Sequence, residues 1–397
     1  MTFYLIQLQV TRLKKTQAES TANLNQPDKK RGELMEKLTF ESINVRASTA
    51  PLKRPIVAKV GQFTEWSLVM IDVQTKEGIV GRSYLEPYIK DSVKYIAPAL
   101  YDMAEKFKGR TICPADMYRE MINSLHLIGR QGVSVITAAG LDMALWDALA
   151  KAANMPLANL LGGSTGPLRA YNTNGLWLLP LDELGKQAEE LVSEGGFKAI
   201  KMRLGRPRLK DDIKAIELVR EAVGEDIDIM VDFNQGQTIQ EAITRLHGLD
   251  DQGMYWFEEP IVFDTYAQSA QLTREIKTPI SIGENIYGPR SFLEAIQANA
   301  ADLYMPDLMR IGGVTGWMSA AAIAGAANAP LSSHLYPEVS AHLLKASESA
   351  DWLEYRDWGN PFVQEPFQVK DGMAIVPDRI GNGLDWNEDA VKKYQYF

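Results

Sequence analysis

Apolar and polar residues follow a strand pattern in the first part of the chain. Over Leu38–Val73 they alternate with a period of two, and the apolar stretches 67–73 and 78–84 predict two strands. Farther on, apolar residues recur every three to four positions, which predicts helices at 91–107, 114–126 and 133–153. Strands followed by helices are typical of an α+β domain, which we place at residues 37–163.

After Gly162 the pattern changes to short apolar runs that alternate with amphipathic helical stretches. This repeated β/α unit predicts a parallel sheet. One polar residue ends each run, and these residues recur about every 23 to 31 positions; they are Lys201, Asp232, Glu258, Glu284, Asp307 and His334. Because the strand ends of a parallel (β/α) barrel converge on one mouth, a barrel over residues 164–351 is expected to gather them.

The bulk composition excludes several classes of protein. Hydrophobic residues make up 46% and charged residues 23% of the chain, which is ordinary for a soluble protein. The net charge of −9 argues against a nucleic-acid or anionic-membrane partner. Cys113 is the single cysteine, so an intrachain disulfide is impossible. We expect no membrane span and a cytoplasmic location, with residues 1–36, polar and lysine-rich, as a flexible extension.

Three of the polar strand ends are carboxylates: Asp232, Glu258 and Glu284. A single acidic residue in such a place often caps the following helix. Three that converge on one barrel mouth would repel one another unless a cation neutralised them. Oxygen ligands without cysteine or histidine favour Mg²⁺ over zinc or copper. The spacing therefore predicts a magnesium site.

His334 and Asp307 end two consecutive runs, and we expect a hydrogen bond between their side chains. A carboxylate partner fixes the histidine tautomer and raises its basicity, which suits a general acid or base. Lys201 and Arg203 lie two residues apart on one strand, so both face the same side. A lysine near a metal can act as a base when its pKa is lowered, whereas a guanidinium stays protonated.

These residues carry a resemblance to the enolase superfamily, and within it to the mandelate racemase group. The resemblance extends from about Leu38 to the C-terminus. Its motifs are Lys-x-Arg at 201–203, Val-Asp-Phe-Asn at 231–234, Glu-Glu-Pro at 258–260, Gly-Glu-Asn at 283–285, the segment 307–317 and Ser-Ser-His-Leu at 332–335. It implies an α/β fold, a modified (β/α)₇β TIM-type barrel with an α+β capping domain. Residues 352–397 would supply the last barrel strand and a segment that returns to the cap.

The resemblance also implies roles for single residues. Asp232, Glu258 and Glu284 would bind one Mg²⁺ per subunit. His334 with Asp307 would be the acid/base dyad, Lys201 would hold the substrate carboxylate, and a protonated Glu354 would hydrogen-bond the enediolate formed from it. Asn234 would contact a substrate hydroxyl, and Tyr88 and the loop 51–63 would close over the substrate. The family is commonly homo-oligomeric, as dimers or octamers.

Two departures from mandelate racemase bear on the reaction. The position of its second base is Arg203, so we expect proton transfer by His334 alone, which suits syn dehydration. An aromatic residue of the racemase is replaced by Glu86, which suits a polyol chain. We therefore expect a lyase that dehydrates an acid sugar, an aldonate or aldarate, to a 2-keto-3-deoxy acid. The alternatives are a racemase, epimerase or cycloisomerase of a 2-hydroxy acid, and a non-catalytic metal-binding barrel.

Overall fold

Three long antiparallel strands begin the part of the chain that the computed structural model describes, residues 37–397. The predicted extension at residues 1–36 lies outside it. The strands are β1 (Phe40–Ala58), β2 (Gly61–Thr75) and β3 (Val80–Leu85), paired in that order. The β1–β2 register shifts between Pro51 and Ile56. Proline has no N–H to donate to a ladder, so a break at this proline-containing segment is expected.

Four helices follow: α1 (Val93–Glu105), α2 (Pro114–Ser124), α3 (Val133–Ala152) and α4 (Leu157–Leu160). Helices α1 and α3 pack on this sheet, and α2 and α4 contact α3. Among the described residues, α3 is long and apolar enough to cross a membrane by length and composition. However, 72% of its most apolar window is buried within the fold, as in a core helix. At Gly140 a side chain would meet the Ile71 methyl Cδ1 at 2.6 Å, so glycine allows α3 to approach the sheet closely.

A parallel sheet forms the second part of the fold. Its strands are β4 (Gly166–Asn172), β5 (Ala199–Arg203), β6 (Asp228–Asp232), β7 (Phe257–Glu258), β8 (Ile280–Ile282), β9 (Leu303–Tyr304) and β10 (Leu353–Tyr355). Strands β4 to β9 pair in chain order, and β10 pairs with β4. Single bridges from Leu331 to Tyr304 and Ala350 connect β9 towards β10, so the sheet closes into the expected barrel. The predicted runs omitted β4, whose polar ending Tyr171-Asn172 interrupts the apolar signal.

Helices connect the barrel strands: α5 (Leu181–Ser193), α6 (Leu209–Val223), α7 (Ile239–Leu249), α8 (Tyr266–Glu275), α9 (Gly288–Gln297), α10 (Leu308–Ile311), α11 (Gly313–Ala326) and α12 (Pro337–Lys345). Several of them are amphipathic; α5, for example, buries Leu184, Ala188 and Leu191 at helical spacing. Helix α7 begins with a capping box of Thr238 and Glu241, which satisfies free N–H groups at its start.

An apolar layer fills the barrel below its mouth. It is a cluster of six buried residues from different strands or their flanks: Tyr171, Ala199, Met230, Trp256, Leu303 and Trp352. Side chains alternate between the two faces of a strand, so residues two positions apart share a face. Lys201, Asp232 and Glu258 each lie two residues beyond a member of this layer. The strand period therefore places these polar side chains directly above the apolar core.

The C-terminal segment contributes β11 (Gln368–Lys370), β12 (Met373–Val376) and α13 (Glu388–Tyr394), and short 3₁₀ turns occur at Lys90–Ser92 and Asn360–Phe362. Strand β12 pairs antiparallel with β4 of the barrel. Farther on, the Trp386 indole donates to Asp72 Oδ1 at 2.8 Å, and the Ala47 N–H donates to the Phe397 carbonyl at 3.0 Å. The segment thus contacts both the barrel and the antiparallel sheet, while the domain boundaries at 163 and 351 stay predictions.

Candidate active site and metal centre

Three carboxylates meet at the mouth of the barrel. Asp232 ends β6, Glu258 ends β7, and Glu284 follows β8 by two residues. The parallel register sets Asp232 beside Glu258, and one oxygen from each of the three residues lies within 4.8 Å of the others. All three donors are carboxylate oxygens, the ligands that a hard divalent cation such as Mg²⁺ prefers. The residues therefore fit a metal ion.

The electrostatics of this cluster also favour a cation. Burial, with repulsion from Asp232 and Glu284, raises the pKa of Glu258 to about 8 although Lys201 opposes the shift. Burial likewise raises the pKa of Asp232. Like charges this close in a buried site are costly to ionise together. A divalent cation would remove that cost, so the cluster is built for one.

Lys201 connects two of the acidic groups. Its ammonium is 2.8 Å from Glu258 Oε1, 2.7 Å from Glu354 Oε1 and 3.9 Å from Asp232 Oδ2, and the side chain is fully buried. Burial alone would lower the pKa of Lys201, but Glu258 and Glu354 outweigh it and raise the pKa above its ordinary value. Lys201 therefore stays protonated in this arrangement.

Glu354, on β10, is held from two sides. Its Oε1 faces Lys201, and its Oε2 accepts a hydrogen bond from the Leu335 N–H at 2.8 Å. Against burial, Lys201 and His334 lower the pKa of Glu354 to about 2. Glu354 is therefore ionised in this arrangement, where its oxygen pairs with an ammonium. A protonated Glu354 in the substrate complex stays a prediction. We call Lys201, Asp232, Glu258, Glu284 and Glu354 the strand-end cluster.

His334 and Asp307 form a hydrogen-bonded pair beside this cluster. His334 Nδ1 is 2.8 Å from Asp307 Oδ2, while the other Asp307 oxygen accepts from the N–H groups of Met309 and Arg310 and caps α10. His334 Nε2 lies 3.2 Å from Glu284 Oε2. Burial would lower the pKa of His334, but Glu284, Glu354 and Asp307 raise it to about 9. Asp307 thus orients the imidazole with Nε2 directed at the carboxylate cluster.

Arg203 and Asn234 flank Asp232. Arg203 Nε is 3.5 Å from Asp232 Oδ2, and its guanidinium carbon lies 3.9 Å from the centre of the Trp177 ring. Asn234 has a positive φ of 46°, which asparagine tolerates better than most residues. Its Nδ2 donates to Asp232 Oδ2 at 2.8 Å and its backbone N–H to Oδ1 at 2.7 Å. Both Asp232 oxygens are therefore held in place.

A cavity of about 280 Å³ opens above the dyad and the cluster. Its polar lining includes Arg203, Asp232, Asn234, Gln235, Glu284, Asn285, Arg310, His334 and Glu354. Its apolar and aromatic lining consists of Ile56, Ala58, Val60, Phe63, Trp66, Tyr88, Ile89, Trp177, Leu335 and Trp358. The structure thus places Tyr88 and four members of the segment 51–63 at the cavity, where they were expected.

Glu86 does not line this cavity. It is fully buried, it pairs with the Arg356 guanidinium, and its Oε2 accepts from the Trp66 indole N–H at 2.6 Å. Its backbone N–H donates to the Tyr336 hydroxyl at 3.0 Å. The expectation that Glu86 faces a polyol chain is therefore wrong. Its position in the sequence, directly after β3, gave no sign of Arg356, which is 270 residues away.

Several cavity residues were missed from the sequence, among them Trp66, Trp177, Arg310 and Trp358. Arg310 lies three residues after Asp307 and donates from Nη1 to the Glu284 carbonyl at 2.9 Å. Trp177 and Trp358 each follow a barrel strand, β4 and β10, so an aromatic residue just after a strand was the available signal. Trp66 lies in β2 and had none, because buried tryptophans are common in any core.

Comparison with known proteins confirms the class of protein that the fold and the site indicate. Residues 41–162 match the mandelate racemase / muconate lactonizing enzyme N-terminal domain, and residues 183–390 match the enolase C-terminal domain-like family. The chain therefore belongs to the mandelate racemase / muconate lactonizing enzyme family of the enolase superfamily.

Particular relatives refine this placement. L-talarate/galactarate dehydratase of Salmonella typhimurium is 31% identical over 361 residues, which cover 88% of this chain and 90% of the relative. An enolase from the alpha proteobacterium bal199, whose crystal structure contains bound Mg, is 49% identical in sequence to this chain. The two structures match with a TM-score of 0.89 over 90% of this chain and 100% of that chain. An enolase from Bradyrhizobium, crystallised in complex with magnesium and mandelic acid, is 38% identical in sequence. Its structure matches with a TM-score of 0.88 over 92% of this chain and 100% of that chain.

The relatives catalyse several types of reaction. Besides dehydratases they include a 3,6-anhydro-α-L-galactonate cycloisomerase of Streptomyces coelicolor and an N-succinyl-L-Arg/Lys racemase of Bacillus cereus. Solved neighbours hold Mg together with small carboxylates such as glucarate and mandelic acid. Family membership therefore indicates an enzyme and a magnesium cofactor, while the reaction has to be argued from this chain's own residues.

Proposed function

We propose that this chain removes the proton from the carbon next to a substrate carboxylate, with His334 as the base. The observation that carries the proposal is the position of the dyad: His334 is oriented by Asp307 at 2.8 Å and reaches Glu284 at 3.2 Å. A base is thereby fixed beside a site for a divalent cation. Asp232, Glu258 and Glu284 would hold Mg²⁺, which would stabilise the negative charge that develops on the substrate carboxylate.

The chain's own residues complete the charge stabilisation. Lys201 stays cationic between Glu258 and Glu354 and offers its ammonium to a carboxylate oxygen. Glu354, ionised without substrate, sits within 2.7 Å of that ammonium and 4.0 Å of His334 Nε2. A proton accepted there would let it hydrogen-bond an enediolate oxygen. We assign Lys201 to carboxylate binding and Glu354 to this second contact.

The reaction we propose is dehydration of a 2,3-dihydroxy carboxylate. Racemisation needs two bases, and Arg203 is a poor one because a guanidinium stays protonated. Arg203 is also engaged by Asp232 and by the Trp177 ring. With one base, His334 takes the α-proton and its imidazolium returns a proton to the departing 3-hydroxyl as water leaves. The product enol becomes a 2-keto-3-deoxy acid, so the balance is substrate to keto acid plus one water.

Relatives support this reaction type, since they include dehydratases of talarate, galactarate and arabinonate. Talarate and galactarate are aldarates and arabinonate is an aldonate, the two classes of acid sugar that the sequence analysis expected. The local argument for a sugar chain rested on Glu86, however, and Glu86 is buried behind the cavity wall. The proposal is therefore the dehydration itself, supported by the single base.

The test is incubation with Mg²⁺ in D₂O against 2,3-dihydroxy acids and simple 2-hydroxy acids. Proton NMR reports α-deuterium exchange, and semicarbazide reports keto acid. Keto acid that depends on His334 is the expected result. As a matched control, His247→Asn changes a half-exposed histidine remote from the cavity and should leave turnover unchanged. Exchange without loss of water would overturn dehydration and favour a racemase or epimerase.

A further inference from the structure

We propose that Tyr336 is a positioning residue for His334. It ties the turn that follows the histidine to the antiparallel sheet, and this fixes the direction of the imidazole. The inference rests on the proposed function, because the direction of the ring matters only if His334 is the base. Tyr336 is fully buried and does not line the cavity, so it acts through the turn and not on the substrate.

The turn directly after His334 has an unusual backbone. Leu335 has a φ of 52° and Tyr336 a φ of 53°, so both lie in the left-handed region. Bulky side chains rarely adopt this conformation, because their Cβ atom crowds the following carbonyl oxygen. Such residues persist there only where the surrounding structure imposes the conformation. The turn is therefore determined by its contacts and not by local preference.

The strained backbone of the described residues is grouped around the active site. Apart from glycine, residues with a positive φ are in part asparagine or aspartate, which tolerate it. Each of the others lines the cavity, is next in sequence to a residue that lines it, or is hydrogen-bonded to one. They are Tyr88, Leu176, Gln235, Glu259, Leu335 and Tyr336. Strain of this kind is typical of places where a functional group has to be held in one direction.

The antiparallel sheet supplies the contacts of the Tyr336 side chain. The hydroxyl oxygen of Tyr336 accepts a hydrogen bond from the Glu86 backbone N–H at 3.0 Å. Its ring stacks on the ring of Tyr84, with ring centres 5.0 Å apart and an angle of 22° between the planes. Tyr84 lies in β3, and Glu86 directly follows that strand. The conformation of the turn therefore depends on the end of β3.

The partners of Tyr336 are themselves held in place. The Tyr84 hydroxyl donates to the carboxylate of Glu338, which lies two residues after Tyr336, and accepts from Arg356 Nη2 at 3.1 Å. Arg356 also pairs with the carboxylate of Glu86. All of these side chains are buried. The network thus leads from the turn to the sheet and back to the helix that follows the turn.

The barrel holds the same turn from its other side. The Leu335 N–H donates to Glu354 Oε2 at 2.8 Å, and the Leu335 carbonyl accepts from Ser340 Oγ at 3.1 Å. His334 immediately precedes these contacts, and its Nδ1 is 2.8 Å from Asp307 Oδ2. A rotation of the turn would move the imidazole relative to Asp307. Because proton transfer depends steeply on the position of the base, the turn should affect the rate of the chemical step.

Removal of one hydroxyl tests Tyr336. Tyr336→Phe keeps the ring but leaves the Glu86 N–H without its acceptor. In the Mg²⁺-loaded enzyme we expect kcat for α-proton exchange to fall about 10-fold and KM to change less than about twofold, since the groups that bind the carboxylate are untouched. The matched control Tyr304→Phe removes another buried hydroxyl, which donates to the Ala295 carbonyl at 3.2 Å, and should change neither constant. A parent-like kcat, or an effect on KM alone, would overturn the proposal.

A second variant tests the turn from the side of the barrel. Ser340→Ala removes the hydrogen bond to the Leu335 carbonyl and leaves Tyr336 intact. We expect kcat to fall about threefold at an unchanged KM, a smaller effect than that of Tyr336→Phe because a single contact is lost. If Ser340→Ala raises KM instead, the turn shapes the cavity and does not position the base.

An NMR signal of His334 separates the position of the base from the reaction. The chain has four histidines, so ¹⁵N-histidine labelling gives few signals, and His334→Asn identifies the one from His334. A carboxylate accepts hydrogen bonds, so Nδ1 carries the proton directed at Asp307 and should be protected from solvent exchange. We expect this proton to exchange about 10-fold faster in Tyr336→Phe of the Mg²⁺-loaded protein, and at the parent rate in Tyr304→Phe. Unchanged exchange in Tyr336→Phe would overturn the positioning role, whereas parent-like turnover by His334→Asn would sink only the proposed function.

Discussion

The strand-end cluster and four aromatic residues, Phe63, Trp66, Trp177 and Trp358, lie at the same cavity but are built in different ways. We call these four residues the aromatic wall. The cluster comes from the ends of the barrel strands β5, β6, β7, β8 and β10, and the parallel register sets Asp232 beside Glu258. The wall comes from distant parts of the chain: Phe63 and Trp66 from the antiparallel sheet, Trp177 after β4 and Trp358 after β10. The cluster carries charges in a fixed arrangement, and the wall presents an apolar surface.

Different forces hold the two regions. In the cluster, charges compensate one another, as when Lys201 lies between Glu258 and Glu354. The wall depends on packing and on one buried ion pair, Glu86 with Arg356, which joins the antiparallel sheet to the end of the barrel. The difference teaches that barrel geometry fixes the charged groups, while the apolar surface depends on separate contacts between remote parts of the chain.

The largest expected effect comes from the cluster side. His334→Asn removes the base while leaving the wall intact, so α-proton exchange should fall by about 10² to 10⁴-fold. Deuterium exchange measured by NMR gives the rate, and urea unfolding should show that the fold of the variant is intact. A variant that exchanges at more than about a tenth of the parent rate would show that the dyad is not the base.

The next largest effect tests the ion pair behind the wall. Glu86→Gln leaves the fully buried Arg356 without a counter-charge, which should lower the free energy of unfolding by about 3 to 5 kcal/mol. Urea unfolding measures it. The double variant Glu86→Gln/Arg356→Met removes both charges and should recover much of the loss. If the single variant unfolds like the parent, the pair does not hold the wall.

Two buried histidines differ in whether carboxylates compensate the charge of the ring. His334 is surrounded by carboxylates and has its pKa raised to about 9, whereas burial lowers the pKa of His342 to about 4 against an ordinary value of 6.5. NMR titration of the metal-free protein should show the two rings titrating on opposite sides of neutrality. Two similar pKa values would mean that the cluster does not compensate its charges as described.

His342 also makes stability depend on pH. Unfolded His342 takes up a proton below about pH 6.5, but the folded form does so only near pH 4. Its contribution is therefore present above pH 6.5 and is lost as the pH falls towards 4, by up to about 3 kcal/mol. Urea unfolding of the parent and of His342→Gln between pH 7 and pH 4 isolates the contribution of His342 to the free energy of unfolding. A parent and variant that lose stability in parallel would contradict it.

The smallest expected effect concerns Arg203. Arg203→Lys would place a titratable amine beside Asp232 and should add slow α-proton exchange at the opposite face of the substrate. NMR of the two enantiomers of a 2-hydroxy acid in D₂O measures the new exchange. No new exchange would count against the account of Arg203 as a lost second base. His247→Asn again provides a control outside the cavity.

The sequence by itself determined the barrel, the capping sheet and four residues of the strand-end cluster, whereas the fifth, Glu354, followed from the family resemblance. Each β/α unit repeats with a similar length, so the polar residues at the strand ends recur along the chain and must meet when the sheet closes. The same reasoning found Asp307 with His334. It also predicted the magnesium cofactor, because a set of ligands made only of oxygen atoms favours Mg²⁺ over most other metals.

Only the tertiary structure decided the wall and the state of the charges. Trp66, Trp177 and Trp358 have no shared spacing, so no local pattern could show that their rings meet. Glu86 pairs with Arg356, which is 270 residues away, so the residue expected to contact the substrate forms a buried ion pair instead. The pKa of Glu354 depends on Lys201 at 2.7 Å, a distance set by strand pairing between β10, β4 and β5. Local periodicity specifies strands and helices, whereas contacts between remote residues form only when the barrel closes and the antiparallel sheet packs against it.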